Sequence, residues 1–473
     1  MYLIENKDDL LKTHAEYKEH IDLWNFYYTS YKGGKDLIEA VIKKHPRESI
    51  DNFDVRKSEC FSINYNSAII DLLSYHLTDN AVENFYGELN NDEAWNLFLK
   101  DADLFETDFN VYLNEVQKLS AIFGAVGVLV DKPYGNFDTK KQELDNLIRP
   151  YVTTYTLPNI LDWTYGINQF GKASLIFLKL KNFYDEYIVW YENFWQAIKL
   201  THKNELEIVR EGENPLGEIP FRWLYNLKDP LNPMLGVSDI KEICYINAAM
   251  MRNFSCANEI LKFSAFPILR KPLSIFTQEE TETVVSENSI LEFNPEWGEG
   301  GKADWLQSVA KEPLEAIMMY EDQLINEIYR IAHLNGIRAA EVSSQAKSGI
   351  ALRIENAQLG ALLAKKSRNL AEFTHQIIRL WLKWQNQSEL MDQVSVEPIQ
   401  EFGLDESAVS IDIATKIIEL IPSDKFKQEL LKSMLRRVMP NLDNRVKKEI
   451  DDEIETFKSM ENDSEENIDT TQE

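Results

Sequence analysis

From Ser348 to about Gln387 the chain keeps a helical apolar pattern for nearly forty residues, far beyond the three turns usual in a globular domain. Gly360 is the place in it where a bend is expected. Two more long helical stretches precede this one. The first opens after Gly236, where Ser238 can cap a helix with apolar positions at Ile240, Ile243, Ile246, Ala249 and Met250. It runs to about Phe263, and Pro267 ends it. The second runs from about Glu312 to His333, with Pro313 in its first turn. Its stripe is Leu314, Ile317, Met318, Glu321, Leu324, Ile325, Ile328 and Tyr329. Between the two, residues 266–305 turn extended (FPILRK, TVVSENSILEF), break at Asn294-Pro295 and at Gly298 to Gly301, and read as a small β-rich insert.

The residues before Gly236 divide near position 120. Met1 to Leu119 is mostly helical, as in Ala68, Ile69, Leu72, Leu73 and Leu77, with Asn66 or Ser67 as the expected cap of that helix and Tyr31 to Gly34 as a turn. Around Gly124 the period shifts. Gly127 to Asp131 and Tyr151 to Tyr155 read as strands, and Ala173 to Leu200 as further strands broken at Asn182 and Asn193. Residues 120–225 are therefore an α+β layer with an antiparallel sheet. Turn clusters at Asn214 to Pro220 and Asp229 to Pro233 bracket a short strand, Phe221 to Tyr225. After the long helix come an extended stretch, VSVEPI, and helices from about Glu406 to Ser459 divided by Pro422 and Pro440. The fold class is α+β, mainly α-helical.

A chain of 473 residues holds about three domain-sized units. Its 50 Lys+Arg against 78 Asp+Glu leave a net charge of −28, which argues against gripping DNA by phosphate neutralisation over the whole surface. About a third of that charge lies between Glu449 and Glu473, where eleven acidic residues meet one lysine, and the end of this tail is expected to be disordered. Residues 336–384 reverse the sign, with eight Lys/Arg against Glu341, Glu355 and Glu372. Either these cations pair with acidic surface on the same or a neighbouring subunit, or they meet a polyanion.

Catalytic and metal chemistry find no support. Gly166-Ile-Asn-Gln-Phe-Gly171-Lys172-Ala173 is one residue short of a phosphate-binding loop, because alanine stands where the hydroxyl that holds Mg²⁺ is needed. The following Ser174 to Leu180 looks like a strand rather than the helix such a loop must enter, so a hairpin turn is expected. Seven histidines, at 14, 20, 45, 76, 202, 333 and 375, make no metal-binding spacing. Cys60, Cys244 and Cys256 are too few and scattered for a disulfide framework or zinc site, which fits a reducing cytoplasm. The most apolar run, Ala121 to Val130, has half the roughly 20 residues a membrane-spanning helix needs. The acidic N-terminus lacks the pattern of a secretion signal. No catalytic residue, cofactor, metal or membrane is expected.

The order of these parts resembles the portal proteins of tailed bacteriophages over about residues 20–460. The resemblance rests on NPLGEIPFRWLYN with its Gly217 to Pro220 turn, and on LGVSDIKEICYINAAMMRNFS with the Gly236-Val-Ser238-Asp239 helix start. It rests also on the Ala265-Phe-Pro267 exit and on Ser348-Gly349-Ile-Ala-Leu352 opening the long helix. It implies a ring, usually of about twelve copies, at one vertex of the virion's capsid, made in the host cytoplasm, with double-stranded DNA passing through the central channel. The implied parts are a wing (1–236, with the long bent helix of 349–399), stem helices (237–265 and 312–335), a β-rich clip (266–311), a tunnel loop (336–348), a crown (400–460) and an acidic tail (461–473).

On this likeness the clip docks the terminase large subunit and later the head-tail adaptor, through Arg270, Lys271, Glu279, Glu280, Glu282 and Trp297. The loop facing DNA holds Arg338, Glu341, Ser343, Ser344, Gln345 and Lys347, of which Arg338 and Lys347 would approach the phosphates. Capsid and scaffold proteins are the remaining implied partners. The apolar stripes of two stem helices cannot be buried within one narrow subunit, so neighbouring copies are expected to cover them. The competing readings are another ring-forming morphogenesis protein without a channel wide enough for duplex DNA, and a cytosolic nucleotide-dependent enzyme built on the damaged loop at 166–173.

Overall fold

The helical start forms as a series of short capped helices: α1 (Lys7–Leu11), α2 (Ala15–Lys32), α3 (Gly34–Val41), α4 (Ile50–Glu59), α5 (Tyr65–Thr78), α6 (Glu93–Lys100) and α7 (Phe109–Phe123). The computed structural model describes residues 4–78, 82–133, 142–143, 146–167, 171, 173–182, 186–203, 205–230, 235–265, 268–272, 290–293, 304–306, 310–334, 349–399, 423–438, 446, 450–451 and 453–454. Short polar side chains start the helices, with Asn6, Ser49, Asp92 and Asp108 each accepting from a first-turn amide. The cap of α5 is Asn64, whose Oδ1 accepts from Ser67 N at 3.1 Å. The expected caps are wrong: Asn66 is fully buried, with its side-chain amide near the Ser30 carbonyl at 3.4 Å. Tyr31 to Gly34 is a joint between two helices, made by Gly33 at φ 67°.

The single antiparallel sheet expected over 120–225 is two sheets. Strand β2 (Ala125–Asp131) lies between β3 (Tyr151–Thr156) and β9 (Phe221–Tyr225), antiparallel to both. A 3₁₀ turn, Leu157–Asn159, leads out of β3 into a five-stranded meander of β4 (Ile160–Ile167), β5 (Ala173–Lys181), β6 (Tyr187–Tyr191), β7 (Phe194–Leu200) and β8 (Leu206–Glu213). The meander pairs with none of β2, β3 and β9 and so forms a second sheet. Trp223 of β9 ties the two together, packing edge-on to Trp163 at 5.9 Å and donating to the Tyr165 hydroxyl at 3.0 Å. Asn182 and Asn193 fall between strands, as expected. Helix α1 lays Leu10 on Phe177, Val189, Tyr191 and Ile198. Lys179, wholly buried, donates to the Asp9 and Lys12 carbonyls at 2.9 and 2.5 Å and so holds the open end of that helix.

Helix α8 (Ile243–Ala265) follows β9. Three short strands come next, β10 (Ile268–Pro272) between β11 (Ile290–Phe293) and β12 (Asp304–Leu306), parallel to the first and antiparallel to the second. Helix α9 (Lys311–Ile331) returns, and the long helix α10 (Gly349–Trp384) runs for 36 residues, uninterrupted at Gly360. Its second half is a core element: Phe373, Ile377, Ile378, Leu380, Trp381 and Leu382 are all buried. Trp381 packs edge-on to Trp95 at 4.9 Å and near Phe98 at 5.9 Å. Strand β13 (Ser395–Pro398) pairs antiparallel with β1 (Val82–Phe85). The chain divides into two units, Met1–Gln400 and Glu401–Glu473. In the second, α11 (Asp424–Val438) lies between the two prolines that were expected to bound a helix, with Ser423 at its start.

Candidate assembly surface and the joint behind it

Helix α8 begins later than its sequence pattern implies. Ser238 Oγ accepts from Ile240 N at 3.2 Å and so caps a turn, and the helix proper starts at Ile243. Its first turns are covered from within the chain. Ala248 and Met251 share a core with Leu37, Val41 and Ile42. Asn247 accepts from Tyr65 N at 3.0 Å and donates to the Ile63 carbonyl at 2.9 Å. Buried Arg56 donates to Ser255 Oγ at 2.9 Å and pairs with Glu48 at 2.7 Å. The Arg56 guanidinium and the His45 amide hold the Glu48 carboxyl down at about 2 against burial. The expectation that neighbouring copies must cover this stripe is therefore wrong for α8 up to Ala257, because α3, α4 and α5 fold onto it.

Helix α9 turns Ile328 and Glu321 inward, and Asn253 Nδ2 of α8 donates to Glu321 Oε1 at 2.8 Å. Burial raises the Glu321 carboxyl above its ordinary range, and its other oxygen is buried with no hydrogen-bond partner among the described residues. Several large apolar side chains remain in water. Met318, Met319 and Tyr320 of α9 are 67%, 67% and 51% exposed, and Leu261 and Phe263 of α8 are exposed as well. Met318, placed by periodicity on the buried stripe, points outward. All five lie on the insert side of the Asn253–Glu321 contact along the chain. Covering each is worth about 1.5–3 kcal/mol, so this part of the pair is incomplete in a single copy.

Behind the pair is a tight joint. A Cβ on Gly236 would lie 1.8 Å from the Gly124 carbonyl oxygen, and Gly124 itself, at φ 92°, ends α7. Ser238 Oγ donates to the Ile122 carbonyl at 2.6 Å, and Asp239 N to the Ala121 carbonyl at 3.0 Å. Asp239 then accepts from Asn226 Nδ2 at 2.8 Å and pairs with Lys366 of α10, both charged side chains being almost wholly buried. Asn369 adds bonds to the Tyr225 and Asn226 carbonyls at 3.2 and 3.0 Å. Gly236-Val-Ser238-Asp239 thus joins α7, β9, α8 and α10 at one place, a role invisible to sequence spacing because its partners on α7 and α10 are over a hundred residues away.

The cations of 336–384 divide accordingly. Lys366 is paired with Asp239, and Arg379 (3.4 Å) and Lys383 with Glu218 of the Gly217 to Pro220 turn, which Arg222 also meets. Burial works to raise the Glu218 carboxyl, but Lys383 and Arg222 overcome it and hold it below the usual carboxylate range. Lys228 reaches Glu372 at 3.4 Å. For Lys366, Arg379 and Lys383 the pairing is within one subunit, as one of the two expected readings has it. Lys365 and Arg368 remain exposed.

Of the residues expected to meet partners, Arg270 and Lys271 lie on the central strand β10, opposite Leu291 and Glu292 of β11. Glu279, Glu280, Glu282 and Trp297, and the loop residues Arg338, Glu341, Ser343, Ser344, Gln345 and Lys347, lie outside the described residues. The motif at 166–173 spans a hairpin: Ile167 of β4 pairs with Ala173 of β5, so the lysine precedes a strand and no helix meets a phosphate there. Glu16, Glu19 and His20 bring three ligand-type atoms within 4.8 Å on one helix, where His20 Nδ1 already lies 3.0 Å from the Glu16 carbonyl.

No protein-family model matches the sequence, and no curated protein does. Among solved structures the chain is similar to one in the virion of a native gene transfer agent particle, at 9% identity and a TM-score of 0.43, over 77% of this chain and 89% of that one. It is also similar to one in the neck of a native gene transfer agent particle computed with C12 symmetry, at 10% identity and a TM-score of 0.40, over 89% and 98% of the two chains.

Proposed function

We propose that this chain is the subunit of a portal-type ring, a structural conduit for double-stranded DNA at one capsid vertex with no catalytic step of its own. The observation that carries the reading is the excursion of α8, three short strands and α9, whose helices leave Met318, Met319, Tyr320, Leu261 and Phe263 in water. A helix pair tipped by a small sheet, anchored at one end by a buried joint and apolar toward the other, suits lateral packing of copies around an axis. In this reading residues 266–311 form the clip that meets the packaging motor and the head-tail adaptor, and residues 336–348 face DNA. The acidic balance favours passage of DNA over its capture, since each neutralised phosphate adds to a sequence-independent hold.

Native mass spectrometry of the full chain tests this. Closed multimers of about twelve copies are expected, and Met318→Asp/Met319→Asp should yield a folded monomer. A wild-type chain that stays monomeric across salt and concentration would overturn the reading. ATP binding or hydrolysis by the purified chain would favour the enzyme alternative, which the hairpin at 166–173 disfavours.

A further inference from the structure

We infer that the loop joining α6 to α7, residues 101–108, is a preformed knob that seats Phe105 on the basic segment 43–50 of a second copy of this chain. The inference takes its partner from the ring reading, and adds which surfaces meet. Phe105 is 85% exposed and Leu104 beside it 44%. Two non-glycine residues of the loop, Leu104 at φ 67° and Glu106 at φ 65°, occupy the left-handed region. Each such residue costs on the order of 1–3 kcal/mol and persists only where its surroundings enforce it. Here they do. Asp103 Oδ1 accepts from Phe105 N at 3.0 Å and Asp101 Oδ1 from Glu106 N at 2.9 Å. Ala102 N donates to the Thr107 carbonyl at 2.8 Å, and Val152 N of β3 to the Ala102 carbonyl at 3.0 Å. The base is fixed by buried Arg149, which donates to Asp101 Oδ2 at 2.6 Å, and by Asp108, which caps α7. The outward result of this enforced strain is an aromatic ring held in water.

Charge indicates the seat. Asp101 is engaged by Arg149, Asp103 by the Phe105 amide and Asp108 by the α7 amide at Asn110, so exposed Glu106 is the carboxylate left beside Phe105 to meet a cation. Segment 43–50 (KKHPRESI) is a local reversal in this acidic chain. Lys43, Lys44, Pro46 and Arg47 are exposed, Ile50 is 69% exposed, and its one carboxylate, Glu48, is taken by Arg56. It too is held in shape, by Lys44 Nζ on the His45 and Glu48 carbonyls at 3.2 and 2.7 Å and by His45 N on Glu48 Oε2 at 2.9 Å. Knob and seat are different patches of one surface, so the contact can repeat head to tail, the arrangement that closes a ring.

The test uses the full chain. A photo-crosslinking amino acid at position 105, in a mixture of ¹⁵N-labelled and unlabelled copies, should give mixed-isotope crosslinks to residues 43–50. Phe105→Ser should weaken self-association about 30-fold with an unchanged circular dichroism spectrum. Glu106→Lys and Arg47→Glu should each weaken it, and the double variant should recover it. Rings that form equally well with Phe105→Ser, or mixed crosslinks that map elsewhere, overturn the contact and leave the ring reading standing. A wild-type chain that never self-associates overturns both.

Discussion

Replacing Lys366 by methionine removes the cation from a pair in which the lysine side chain is 1% and the Asp239 side chain 6% exposed. The aspartate is left buried with one remaining side-chain partner, Asn226 Nδ2 at 2.8 Å. Breaking a buried pair from one side costs about 3–5 kcal/mol; with the Asn226 bond kept, the lower end applies. Unfolding entropy of about 2.1 cal/mol/K per residue, over the unit Met1–Gln400, is roughly 0.8 kcal/mol/K, so a loss of about 3 kcal/mol lowers the midpoint of that unit by about 4 °C. Differential scanning calorimetry resolves such a shift. Lys366→Met/Asp239→Asn should recover at least half of it, because the stranded charge is gone. Single variants of either residue that melt within 1 °C of wild type, roughly, would refute the claim that this pair locks α10 to the start of α8.

Gly236→Ala should cost well over 3 kcal/mol, roughly, or abolish soluble expression, since its Cβ would meet the Gly124 carbonyl at 1.8 Å; Gly217→Ala, with open space around it at φ 65°, should cost only about 1 kcal/mol, as urea unfolding will show. The Glu48 carboxyl, held at about 2 when folded, contributes stability that is complete above its unfolded value and is lost as pH falls toward 2, on the order of 3 kcal/mol; Glu48→Gln should flatten that part of the acid-unfolding curve. Asp131 has the opposite sign: burial pushes it up to about 6, so its contribution becomes more favourable as pH falls from 7 to 4, by about 2–3 kcal/mol, and Asp131→Asn should remove this gain. Glu321→Gln keeps an acceptor for Asn253 and removes a buried charge, so it should raise stability at pH 7 by about 1 kcal/mol in the same urea assay.

Elements set by local periodicity were legible in the sequence. The extent of α9, the length of α10, the break at Gly33 and the strands between α8 and α9 all follow from apolar spacing and from proline or glycine within a few residues. What was not legible depends on partners distant in the chain. Nothing local distinguishes Asn64 from Asn66 as the cap of α5, because the difference lies in Asn66 being buried beside Ser30. The two sheets could not be told from one, since β9 reaches β2 across some ninety residues. The covering of α8 by α3, α4 and α5 reverses a conclusion that treated the helix as bare. For Lys366, Arg379 and Lys383 of the basic stretch the choice between two readings depends on Asp239 and Glu218, which lie far off in the sequence.

The portal reading makes its most exposed claim about shape. Negative-stain images of the purified chain should show closed rings of about twelve copies with an axial hole wide enough for duplex DNA. Solid rings, open filaments or a persistent monomer would contradict it.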